Sequence, residues 1–139
     1  MGFDFTSETG TTEQIRGGGW SLLLYAAESY GWLKLGTLPP EGVKPEEWEG
    51  DYATNDGQSV RASDAVALAE AWERLLLDPQ RVLKVRALQV QMDEDLRRLA
   101  KEQYGVDLPP EPDGGEYPID EEYLRTLIQF CRLGGFRID

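Results

Sequence analysis

The stretch Asp51-Tyr52-Ala53-Thr54-Asn55-Asp56-Gly57-Gln58-Ser59-Val60-Arg61-Ala62-Ser63-Asp64-Ala65 holds the single asparagine of a 139-residue chain, beside Asp56-Gly57. Asp-Gly between two β-capable runs signals a hairpin, because the turn centre needs positive φ. With Asp56 and Gly57 at that centre, Asn55 faces Gln58, Ala53 faces Val60 and Tyr52 faces Arg61. Ser63 or Asp64 then caps a helix, and Asp64 suits its positive end. Val66, Ala69, Trp72, Leu75 and Leu76 supply the apolar stripe of that helix.

Working outward towards the start, Glu41 to Gly50 reads as an acidic loop carrying Trp48. Trp32-Leu33-Lys34-Leu35 reads as a short strand, stopped by Gly36 and Pro39-Pro40. A helix is expected from about Gly19 to Tyr30, with Trp20, Leu23, Leu24 and Ala27 at helical spacing and Gly31 closing it. Thr6 to Gly19 reads as loop, and Phe3-Asp4-Phe5-Thr6 alternates like a strand.

Towards the end, Asp78-Pro79 opens a long helix that runs to Tyr104 and closes at Gly105. Val82, Val85, Leu88, Met92, Leu96 and Leu99 recur along it at intervals of three and four. Some 25 residues make a rod of ~38 Å, long enough for one end to project. Gly105 to Pro118 is an exposed loop rich in Pro, Gly and acids. Asp120 caps a last helix with a buried face of Tyr123, Leu124, Leu127, Ile128 and Cys131. Gly134-Gly135 ends it, and Phe136 and Ile138 form a strand that joins the small sheet. The expected fold is α+β, in a single domain over 1–139: about four helices packed with a small, mainly antiparallel sheet.

Composition narrows function mainly by exclusion. With no histidine and one cysteine, Cys131, there is no intramolecular disulfide, no Ser-His-Asp or Cys-His unit and no Cys/His zinc site. Cys131 without a base reads as a small core hydrophobe. The net charge is −12, from 26 acidic and 14 basic residues. That disfavours direct binding to nucleic acid, which needs clustered cations. It suits a basic protein partner, or a surface that imitates nucleic acid. The charge is uneven: residues 1–78 carry a net −9, residues 79–104 a net +2 and residues 105–139 a net −5. The basic-leaning helix is thus a candidate partner surface or dimer seam, against the plainer reading of solvated ion pairs. No apolar run approaches the ~20 residues of a membrane span, and the start has no leader pattern, so a cytoplasmic protein is expected. Scarce asparagine and proline-rich loops fit a thermophilic or high-GC source.

Two motifs fail on spacing. With Gly57 in the sixth place of a calcium loop, Tyr52 and Ser63 occupy the first and twelfth places, where carboxylates belong. Gly17-Gly18-Gly19 precedes a helix but lacks the Gly-Lys-Ser/Thr of a phosphate loop. No metal and no cofactor is therefore expected. The candidate binding residues are Trp48, Tyr52, Asn55, Asp56, Gln58 and Arg61, with Trp48 a possible anchor in its acidic loop.

Tyr30-Gly31-Trp32, Leu35-Gly36-Thr37, Asn55-Asp56-Gly57-Gln58-Ser59-Val60, Asp64-Ala65 and Phe130-Cys131-Arg132-Leu133-Gly134-Gly135-Phe136 together resemble a group of small, acidic, uncharacterised bacterial proteins. The resemblance covers about the first 75 residues and the last 20. It brings no activity, cofactor or catalytic residue. The expected function is a non-enzymatic acidic interaction protein: an inhibitor, immunity or anti-defence factor that binds a basic partner. The alternatives are a small-ligand binder with the hairpin and Trp48 lining its pocket, and a Mg-dependent carboxylate hydrolase using Asp51, Asp56 and Asp64.

Overall fold

The computed structural model describes residues 2–109 and 117–139. The fold is α+β: four helices and a four-stranded antiparallel sheet in the order β2-β1-β4-β3. The strands are β1 (Gly2–Ser7), β2 (Thr12–Arg16), β3 (Gln58–Val60) and β4 (Phe136–Ile138); the helices are α1 (Gly17–Ser29), α2 (Ala62–Leu77), α3 (Arg81–Tyr104) and α4 (Glu121–Arg132).

The sheet is centred on the first and last strands. Phe5 pairs with Ile138 and Ser7 with Phe136, and Asp4 and Asp139 exchange reciprocal backbone bonds of 2.8 Å. The expectation of a final strand at Phe136 and Ile138 holds. The segment read as loop from Thr6 to Gly19 contains β2, which pairs with β1 from Gly2–Arg16 to Thr6–Thr12. This strand escapes a periodicity reading because it is an edge, where only Ile15 is buried.

The Asp-Gly hairpin does not form. Gly57 has the positive φ the turn needed, at 87°, but Asp56 does not, and residues 52–54 form bends rather than a strand. β3 pairs instead with β4, Gln58 to Ile138 and Val60 to Phe136, and its free edge takes a single bridge from Leu38. The fully buried Gln58 explains the difference. Its Nε2 donates to the carbonyls of Asp51 (3.2 Å) and Thr54 (2.6 Å), and its Oε1 accepts from the Asp56 amide (2.9 Å). One side-chain amide thus satisfies groups that a ladder would otherwise have to satisfy. Trp32–Leu35 is not a strand either; that segment runs irregularly to the Leu38 bridge.

The core lies between one sheet face and α1, α2 and α4. Phe5 meets Trp20 edge-on at 4.8 Å and Phe136 at 5.0 Å, and Trp20 meets Trp72 at 6.2 Å. Each buried indole keeps a partner for its N–H: Trp20 donates to the Tyr52 carbonyl at 2.8 Å and Trp72 to the Leu23 carbonyl at 2.9 Å. Asp120 caps α4 as expected, accepting from the amides of Glu122 and Tyr123. Gly135 is crowded, because an added Cβ would stand 2.7 Å from the Val60 carbonyl oxygen.

α3 closes on Gly105 in the left-handed region, at φ 66°. Its stripe is only half used. Val85 is buried and Leu88 and Met92 pack partly on the core, while Leu96 and Leu99 lie exposed. The far half of the rod therefore leaves the core, with Asp107 and Leu108 beside Arg97, Arg98 and Lys101 and a Lys101–Asp107 ion pair of 2.8 Å. The Gly105–Pro118 loop lies outside the described residues from 110 to 116. Among the described residues, no helix is long and apolar enough to cross a membrane.

Candidate functional site

Asp64 organises the region that the opening stretch marks out. It sits in the first turn of α2 but caps nothing; Arg61 is the N-cap, and its side chain makes no capping bond. The Asp64 carboxylate turns inward and is fully buried. Its Oδ1 accepts from the Trp32 indole N–H at 2.8 Å, and its Oδ2 accepts from the Tyr52 hydroxyl. The positive end of α2 adds a third favourable influence. A buried carboxylate is tolerable only with such partners, since desolvation alone costs several kcal/mol. Tyr52 in turn accepts from the Gly36 amide at 2.8 Å, and its ring stands edge-on to Trp32 at 5.1 Å. Burial first, and the adjoining carboxylate second, push the Tyr52 phenol well above its ordinary range. Burial, helped by the Asp64 charge, pushes the Cys131 thiol up to about 12.

Two segments, 32–37 and 48–54, are thereby tied to the start of α2. They approach closely at two glycines: a Cβ on Gly50 would stand 3.2 Å from the Gly36 Cα, and both residues have positive φ. Trp48 folds back on the same junction. Its indole N–H donates to Thr37 Oγ1 at 3.0 Å and to the Thr37 carbonyl at 3.2 Å, and Thr37 Oγ1 donates to the Asp51 carbonyl at 2.7 Å.

The six residues singled out from sequence thus divide. Tyr52 and Gln58 are buried and spend their polar atoms inside the protein; Trp48 is half-buried over Thr37. Asn55 and Asp56 stand exposed at the loop tip, and Arg61 stands exposed at the start of α2. Asp51 and Asp56 are exposed while Asp64 is sealed, so the three acids considered for metal chemistry do not share an environment. Among the described residues, no group of three or more acidic, cysteine or histidine side chains is arranged to hold a metal.

Beside the Asp64 network, an open cleft of ≈ 480 Å³ lies between α1 and the two tied segments. Trp32 and Tyr52 reach its floor, and Glu28, Lys34, Glu49 and Asp51 carry its charge. Lys34 bonds Glu28 at 3.2 Å, which leaves Glu49 and Asp51 as the carboxylates of the opposite wall. Leu33 and Leu35 are exposed nearby on the 32–37 segment. A sequence reading misses Glu28 and Lys34 because they belong to different segments. The available signal is the spacing of Gly31, Gly36 and Gly50, which lets the two walls bend towards each other.

A second polar cluster joins the ends of α1 and α2 to α3 and α4. Tyr30 donates to Asp78 at 2.8 Å, Lys84 pairs with the same carboxylate oxygen at 2.7 Å, and Arg81 grips Glu121 at 2.7 and 3.1 Å. Burial and the Asp78 bond push the Tyr30 phenol up to about 12, while Lys84, the Gln80 amide and Tyr30 draw the Asp78 carboxyl down to about 2. These partners satisfy one another and serve as a structural clasp. No family model, curated protein or solved structure matches the chain.

Proposed function

We propose that the protein is a non-enzymatic acidic interaction protein, and that its cleft receives a basic segment of a protein partner. The observation that carries this reading is the cleft's lining: three carboxylates against one lysine that already pairs with Glu28, beside the exposed ring of Tyr25. A lysine or arginine side chain would lay its stem on Tyr25, the exposed ring of the cleft, and its head against Glu49 and Asp51. The net charge of −12 would steer such a partner from a distance, giving fast, salt-sensitive association. Inhibitor, immunity or anti-defence roles all fit that behaviour.

A small-ligand reading has one support, the cleft volume of ≈ 480 Å³, which falls within the range of ligand pockets. Its open, charged walls favour the protein partner.

The test begins with capture from native lysate at low salt, followed by identification of the bound protein and titration of the purified pair. The reading expects a partner with a basic contact face and an affinity that falls with salt. It also expects Glu49→Lys combined with Asp51→Lys to weaken binding about tenfold or more, chiefly through the association rate. Equal affinity of the double variant, or a partner with an acidic contact face, overturns it.

A further inference from the structure

α3 has 24 residues, a rod of ~36 Å, and only its first half rests on the core. Val85, Leu88 and Met92 face the core, yet the same stripe continues through Leu96 and Leu99, which are 60% and 45% exposed. Apolar side chains aligned with a core face but lying beyond it mark a contact surface. We propose that the occupant is a second copy of this chain, packed antiparallel on the distal half of α3 with its two-fold axis near Leu96.

Charge selects that occupant and that orientation. Asp93 and Asp95 precede Leu96, and Arg97 and Arg98 follow it. Within one chain they pair as Asp93–Arg97 at 3.1 Å and Asp95–Arg98 at 3.1 Å, along the flanks of the stripe. An antiparallel crossing at Leu96 sets Asp93 beside the partner copy's Arg97 and Asp95 beside its Arg98. Each pair then becomes a four-membered ring of alternating sign. A parallel crossing sets acid on acid and base on base, which costs energy at such distances.

The rest of the molecule argues for the same place. The distal half of α3, residues 92–104, carries four acids and three bases, a net −1, while residues 1–78 carry −9 and residues 105–139 carry −5. Two copies therefore repel least along this half of the rod, where acids and bases nearly balance. Met92 and Leu99 of one copy would pack against Leu99 and Met92 of the other, with the two Leu96 side chains at the centre. Half a helix makes an interface at the small end of the known range, so a reversible dimer that grows with concentration is expected.

Sedimentation equilibrium of the full chain over a wide concentration range tests the association. Leu96→Glu should weaken it ~tenfold or more without altering the circular dichroism, since Leu96 is not part of the core. Orientation is read from cysteine cross-linking, with the buried native Cys131 left in place. Met92→Cys mixed with Leu99→Cys should form a disulfide readily, and either variant alone should not. In the antiparallel arrangement identical positions lie ~10 Å apart along the axis, too far for a disulfide. A chain that stays monomeric up to ~1 mM, where any remaining affinity is negligible, overturns the proposal. So does a dimer that survives Leu96→Glu, or one in which like positions cross-link with each other.

Discussion

Tyr52 gives its phenolic hydrogen to Asp64 and takes one from the Gly36 amide, so a single hydroxyl bridges the start of α2 to the irregular 32–37 segment. Removing it should leave two groups stranded. Tyr52→Phe is expected to cost about 2–3 kcal/mol, because a buried carboxylate loses a donor and a backbone amide loses its acceptor. Urea unfolding at neutral pH measures this. A cost below ~0.5 kcal/mol would mean that the hydroxyl is not a structural tie.

Asp64→Asn keeps the shape but replaces one acceptor oxygen by a donor. Either Trp32 or Tyr52 then faces an N–H rather than a lone pair. A loss of about 2–4 kcal/mol is expected, and Asp64→Ala should cost at least as much. Equal stability of wild type and Asp64→Asn would show that the carboxylate's charge and geometry are dispensable.

Gln58 offers a sharper contrast. Its Nε2 faces three oxygens, the carbonyls of Asp51 and Thr54 and the Thr54 hydroxyl, within 3.2 Å. Gln58→Glu should therefore be worse than Gln58→Ala, because a buried carboxylate would confront acceptors. Hydrogen exchange in residues 51–57 should accelerate in both variants, with most of the remaining structure protected in Gln58→Ala. Unchanged exchange in that loop would refute the role given to Gln58.

Alkaline pH should destabilise the fold. The Cys131 thiol is raised from 9.0 to about 12 and the Tyr30 phenol from 10.0 to about 12, each first by burial. In the unfolded chain these groups release protons near their ordinary values; in the folded chain they hold them. Their stabilising contribution is complete below about pH 9 and lost as pH rises towards about 12, by at most ~1.4 kcal/mol per pH unit for the sealed Cys131 and by less for Tyr30, which solvent screens. Cys131→Ala should flatten the first part of that decline. The native thiol should also resist a thiol reagent at pH 8 until denaturant is added, and rapid native labelling would contradict its burial.

Gly135→Ala should destabilise by about 1–3 kcal/mol, since its Cβ would press on the Val60 carbonyl oxygen at 2.7 Å, with Glu8 Oε1 at 3.0 Å and the Ala62 amide at 3.3 Å. Gly10→Ala makes a useful comparison, because its positive φ is strained but open space surrounds it. Thermal melting of both variants separates crowding from backbone strain.

Much of the helical layer was legible because its signals are local. Asp120, Gly105 and Gly31 stand where helices begin or end, and Leu124, Leu127, Ile128 and Cys131 of the α4 stripe are buried as their spacing implies, with Tyr123 half-buried. The sheet was less legible because strand pairing is not local. Nothing in Gln58-Ser59-Val60 announces that its partner is Phe136-Arg137-Ile138 rather than the residues just before the Asp-Gly turn. A buried glutamine that satisfies loop carbonyls leaves no periodic trace, and neither does an edge strand with one inward residue. Of the region around Asp64, the sequence marked the right stretch while pointing its side chains outward. Tyr52, Gln58 and Asp64 are conspicuous there because they hold the fold, and the open surface lies beside them.

The pairing of β1 with β4 also orders the events of synthesis. On the ribosome, the β1–β2 hairpin emerges well before β4, and its inner edge waits for that strand. β3 waits for the same strand, so the β1–β2 hairpin and β3 stay apart until Phe136–Ile138 has been made. Closing a loop of that length costs about 4 kcal/mol of chain entropy before any pairing is gained. A nascent or truncated chain that lacks Phe136–Ile138 would therefore expose two unpaired strand edges together.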